Sequence, residues 1–142
     1  MENLKYPTTE ELLQIHNHLI KMSLEETEVG SYGFLWWRNE SDLQSVLTFI
    51  KNNDYYPTLV DKLTQFMFAI NKNHLFKDGN KRSSIYFPWY LLYINVCNNI
   101  EVSNFIRSLE DVSVLVASNS INKDELGKYI KEILPYTLQQ KE

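Results

Sequence analysis

Apolar residues recur along this chain at intervals of three and four, broken by short polar turns, which is the period of amphipathic helices rather than strands. In PTTEELLQIHNHLIKM a capping box opens the first helix: Thr8 can cap, and Glu11, three residues on, can reach back. Leu12, Ile15, Leu19 and Met22 follow at helical spacing and predict a helix over 9–22. EVGSYGFLWWRNE (28–40) breaks the period. Its glycines and contiguous aromatic run make it the one stretch that reads as a short strand pair or ordered flap. A second helix, capped by Ser41 or Asn39, carries Leu43, Val46, Leu47 and Ile50, and KNNDYYP is a turn.

Thr58 and Asp61 open the most regular amphipathic helix, with Leu59, Leu63, Phe66 and Ile70 in one stripe, running into Asn73 and His74. SSIYFPWYLLYINV is apolar on nearly every face, the pattern of a helix buried in the middle of a bundle. Pro88 within it should kink the helix or mark its break. Two more amphipathic segments follow, 104–117 (Ile106, Leu109, Val112, Val116) and 123–134 (Leu126, Ile130, Ile133, Leu134), and the tail QQKE should fray. No repeat, low-complexity tract or linker divides the chain. The expectation is one compact all-α domain over residues 1–142, with a short β-flap at about 29–38.

Composition narrows the function. A hydrophobic share of 44% against 23% charged excludes a disordered chain, and only 4 Gly and 4 Pro argue against a turn-rich β-sandwich. The net charge of -4 provides no global field to attract nucleic acid, so any phosphate site must be local. Cys97 is the single cysteine, which rules out an intrachain disulfide and suits a reducing cytoplasm. The N-terminus lacks the apolar run of a signal peptide, and no stretch reaches about 18 consecutive apolar residues. The reading is a cytoplasmic protein with no membrane association and no direct nucleic-acid binding.

NKNHLFKDGNKRSS (71–84) concentrates the candidate chemistry between two apolar helices. Gly79 permits a positive φ or a close approach by a ligand. The amides that follow it open a helix at the positive end of its macrodipole, a ready anion site to which Lys81 and Arg82 would add charge and Asn80 an amide donor. Asp78 would repel a phosphate directly but could hold Mg²⁺ between them. His74, of the residue type whose unperturbed pKa is about 6.5, could take a proton at neutral pH. Phe76, pointing inward, would pin the loop to the core. Base, metal ligand and phosphate clamp are what phosphoryl or nucleotidyl transfer needs. A plain solvated turn, with Asp78 as a cap and Lys81 and Arg82 in water, accounts for the same spacing.

His74 to Ser83, HLFKDGNKRS, resembles the signature HxFx(D/E)(G/A)N(K/G)R of Fic/Doc (Fido) proteins. The resemblance continues backward through YPTLVDKLTQFMFAINKN and, more loosely, to PTTEELLQIHNHLI. It implies an all-helical Fido domain that moves part of a nucleoside triphosphate onto a hydroxyl of a target protein. It further implies that His74 is the general base, Asp78 the Mg²⁺ ligand, Gly79, Asn80, Lys81 and Arg82 the phosphate binders, and Phe76 a structural anchor. ATP would be the substrate and Mg²⁺ the cofactor.

Members that transfer AMP resemble HxFx(D/E)GNGRxxR. Here Lys81 replaces the glycine after the asparagine, and Ile85 replaces the second arginine, removing a fork that would hold the terminal phosphate. Doc toxins share both features. The resemblance there implies a reversed nucleotide and phosphorylation of a translation elongation factor such as elongation factor Tu, with AMP transfer and a catalytically silent binding module as alternatives. No glutamate-containing (S/T)xxx(E/D)(G/N) inhibitory helix is present, so restraint would come from an antitoxin chain in trans. In the family a flap before the motif docks the target by strand addition. Trp36, Trp37 and Arg38 are the candidates for it here, with a roof over the core as the other reading. His16 and His18, two apart, face different sides of a helix and cannot share an ion, and Tyr55 and Tyr56 read as packing residues.

Overall fold

A computed structural model describes residues 4–27, 40–76, 80–96 and 99–134. The proposed flap with Trp36, Trp37 and Arg38, the loop residues Asp78 and Gly79, Cys97 and the C-terminal tail lie outside the described residues. Within them run six helices: α1 (Thr9–Thr27), α2 (Glu40–Ile50), α3 (Leu59–Asn73), α4 (Asn80–Tyr93), α5 (Asn99–Ala117) and α6 (Lys123–Ile133). No strand accompanies them among the described residues. The all-α architecture read from the periodicity is the one observed.

Local chemistry sets the starts. Thr8 Oγ1 accepts from the Glu11 N–H at 3.1 Å while the Glu11 carboxylate accepts from the Thr8 N–H at 2.9 Å, closing the expected box at α1. Thr58 and Asp61 do the same for α3, and Asn122 and Glu125 for α6. Helix α3 lies at the centre, packing on α2, α4, α5 and α6, and α4 also packs on α1 and α5. Its stripe of Leu59, Leu63, Phe66 and Ile70 is buried, as are Leu43, Val46, Leu47 and Ile50 of α2. Lys62 is fully buried on α3 as well. Its ammonium donates to the Ile50 carbonyl at 2.7 Å and to Asn53 Oδ1 at 2.8 Å, closing the C-terminus of α2, while desolvation lowers its pKa.

Three features of the helices refine or correct the pattern read from the sequence. The buried face of α1 is Leu12, His16, Leu19 and Ile20; Ile15 is only half-buried and Met22 is exposed. Both stripes have helical spacing, and the partner helix α4 selects between them. Next, α4 is not buried all round. Tyr86, Trp89, Tyr90 and Tyr93 form a stripe at i, i+3, i+4 and i+7 that stays partly or fully exposed. The first three of these border a groove of about 450 Å³ shared with Ile15, His18 and Met22. Finally, Pro88 does not end α4, which continues to Tyr93. Pro88 removes one amide donor, a loss that a helix packed on three others can absorb.

Tyr90 donates its O–H to the second carboxylate oxygen of Glu11, tying the start of α1 to α4. That bond, ahead of the Thr8 contacts, holds the Glu11 carboxyl below its ordinary 4.5, and Glu11 pushes Tyr90 up to about 12. The carboxylate's contribution is present above 4.5 and lost as pH falls through its lowered value. The phenol's is present below its ordinary 10.0 and lost as pH rises towards 12. Tyr90→Phe should cost roughly 1 kcal/mol at neutral pH, about 2–4 °C in Tm. The gap from wild type should close in thermal melts well below pH 4.5 and again above pH 10.

Candidate active site

The motif begins where α3 stops. His74 is the C-cap of that helix, with φ 47 and ψ 59, the left-handed conformation that glycine or asparagine usually supplies. A histidine there costs about 1 kcal/mol against glycine. The turn leaves His74 exposed while Leu75 and Phe76 enter the core. One helix end thus keeps an imidazole in water within two residues of a core anchor.

Phe76, 1% exposed, lies flat on the His16 ring with centroids 3.6 Å apart and planes 15° apart, and meets Phe87 of α4 edge-on at 6.2 Å. Its backbone is clamped from the far side of the loop. Asn80 Oδ1 accepts from the Phe76 N–H at 3.0 Å, and Asn80 Nδ2 donates to the Phe76 carbonyl at 2.6 Å. Asn80 therefore does a job its spacing did not reveal: it ties the two ends of the 77–79 connection together. One hydrogen of its amide remains for a ligand.

Helix α4 opens with Asn80, Lys81, Arg82 and Ser83 and has no acid in its first turn. In contrast, α1, α2, α3 and α6 each place Asp or Glu there, the usual answer to the positive end of the macrodipole. Lys81 and Arg82 are exposed, and Ser83 and Ser84 are buried beneath them. Ser84 Oγ donates to the Lys81 carbonyl at 2.6 Å, Ser83 Oγ shares a hydrogen bond of 3.1 Å with His16 Nδ1, and Asn71 of α3 donates to the Ser113 carbonyl of α5 at 3.2 Å. Cations face out, hydrogen-bonded polar groups hold the turn from below, and a helix start of this kind is where an anion can bind.

Ile85, one turn further on, is 5% exposed and belongs to the core. Asp78 and Gly79 fall in the loop outside the described residues. Among the described residues no group of three or more His, Cys, Asp or Glu could hold a metal. The resemblance implies a divalent cation held by Asp78 with phosphate oxygens, a donor type that suits Mg²⁺.

From the sequence, His16 is weighed only as a metal ligand, and Ser83, Ser84 and Asn71 have no assigned role. A signal for His16 was present: it stands four residues after Leu12 and three before Leu19, on the face that α1 buries. Removing the clamp should be measurable. Asn80→Ala leaves the Phe76 N–H and C=O without their partners and should cost about 1–3 kcal/mol. A lower Tm and rapid hydrogen exchange at the Phe76 amide would report it.

No helix among the described residues is long and apolar enough to cross a membrane. The sequence model of the Fic/DOC family matches residues 6–92, more than half of the chain, from the segment before α1 almost to the end of α4. A comparison with curated proteins finds no match. Fic/DOC proteins are typically transferases that modify proteins with part of a nucleotide, using ATP and a metal ion. By the span of that match and the motif it encloses, the chain belongs to the Fic/DOC family.

Proposed function

We propose that this chain transfers the γ-phosphate of ATP to a hydroxyl of a target protein, as Doc toxins do. The observation that carries the reading is the first turn of α4: Lys81 and Arg82 exposed at its positive end, with Ile85 one turn later buried in the core. An arginine at that later position would hold a nucleotide's terminal phosphate in the AMP-transfer pose. A buried isoleucine offers no donor, so the polyphosphate is held by the first turn alone, and the γ-phosphate is drawn towards the His74 side.

The step balances simply. His74 takes the proton of the target hydroxyl, whose oxygen attacks the γ-phosphorus. The bond from that phosphorus to the bridging oxygen breaks, and ADP leaves with the electron pair. Asn80, through its remaining amide hydrogen, and Lys81 and Arg82, through their charges, neutralise the phosphate oxygens. Asp78 would hold Mg²⁺, which supplies charge neutralisation at the phosphates. Trp36, Trp37 and Arg38 would dock the target segment, with elongation factor Tu the first target to try. Any restraint would come from an antitoxin chain in trans. An isolated chain that transfers without an added release factor supports that, and one that needs release contradicts it.

ATP labelled separately at the α and γ positions tests the reaction, with a bacterial lysate or elongation factor Tu as acceptor. The expected result is γ label alone on protein, lowered by about 10²–10⁴-fold in His74→Ala. Label from the α position would make AMP transfer the correct reading. No transfer of either label would favour a silent binding module, and full activity in His74→Ala would remove the histidine from its role.

A further inference from the structure

His16 of α1 is sealed from solvent, at 0% exposure, and is buried against the motif. An apolar residue would fill this place without the cost of desolvating an imidazole. The ring provides two contacts an aliphatic side chain cannot: a flat face for Phe76, 3.6 Å centroid to centroid, and a nitrogen 3.1 Å from Ser83 Oγ. Those contacts fall on opposite banks of the 77–79 loop, since Phe76 follows His74 by two residues and Ser83 follows Arg82 directly. We propose that His16 is a positioning residue of the active site, a strut from α1 that fixes the base-bearing end of α3 relative to the phosphate-binding turn of α4. The proposal rests on the reading of that motif as the active site.

The geometry explains why a third helix is needed. The Asn80 clamp joins Phe76 to the start of α4 through the backbone. His16 adds contacts to both banks from a separate helix, stacking on one and bonding the other. It also helps hold the left-handed turn at His74, a conformation that persists only where the surroundings over-determine it. His16 touches neither nucleotide nor target hydroxyl in this arrangement. Its effect reaches the chemistry through the spacing of other groups, and a misplacement of about 1 Å can cost about 10²-fold in rate.

The test compares His16→Leu, His16→Asn and Ser83→Ala, singly, and the His16→Leu/Ser83→Ala pair, in the full chain. One readout is hydrogen exchange at the Phe76 amide, which donates to Asn80 Oδ1, against the Ile130 amide of α6 as a remote reference. The other is kcat and KM for γ-phosphate transfer. His16→Leu should speed Phe76 exchange about tenfold with Ile130 unchanged, and lower kcat about 10–100-fold with little change in KM for the target. Asn, which can still bond Ser83, should recover part of both, and the double variant should be no worse than His16→Leu alone. Should His16→Leu fail to fold, Ser83→Ala, which removes a single oxygen, carries the comparison. Unchanged Phe76 exchange, equal acceleration at Ile130, or additive losses in the double variant would overturn the proposal. Should wild type transfer nothing, the proposed reaction falls, while the exchange measurement still decides the role of His16.

Discussion

A phenylalanine drawn into the core two residues after a left-handed histidine obliges the chain to reverse its exposure within one turn. Most of the site follows from that reversal. The Phe76 ring is held flat by His16, edge-on by Phe87, and at its backbone by both ends of the Asn80 amide. With so many constraints on one residue, the backbone that leaves α3 at His74 is anchored two residues on. The left-handed backbone there costs about 1 kcal/mol, a strain the burial of Leu75 and Phe76 easily exceeds, at roughly 1.5–3 kcal/mol for each side chain.

The same layering governs charge. Under the motif Ser83 bonds His16, Ser84 bonds the Lys81 carbonyl and Asn71 bonds the Ser113 carbonyl. Above it are the cations, Lys81 and Arg82. Among the described residues no buried acid lies beneath the first turn of α4, so nothing there offsets the positive end of its macrodipole.

The helices were legible because caps and periodicity agree. Thr8 with Glu11 and Thr58 with Asp61 are local signals, and local geometry decided them. What periodicity could not decide was rotation. Residues 12, 15, 19 and 22 and residues 12, 16, 19 and 20 are both helical stripes, and only the docking of α1 on α4 selects the second. The same limit hid the exposed side of α4, where Tyr86, Trp89, Tyr90 and Tyr93 read as core by hydrophobicity alone. At the site, residue types and spacing pointed to anion chemistry at the start of α4. Partners sixty-seven residues apart in sequence, such as His16 and Ser83, leave no mark in a local window.

Helix α4 changes character along its length. Its first turn is polar and exposed at Lys81 and Arg82, and its middle fills the space between α3, α5 and α1. The change happens within one turn, between Arg82 in water and Ile85 in the core. Because a helix advances about 100° per residue, Ile85 lies three residues on and close to the same face as Arg82. A second cation on that face would therefore have to displace core packing. The missing fork and the stability of the fold are thus one constraint: Ile85→Arg would place an unpaired charge among α4's buried neighbours at a cost of several kcal/mol before it could reach any phosphate.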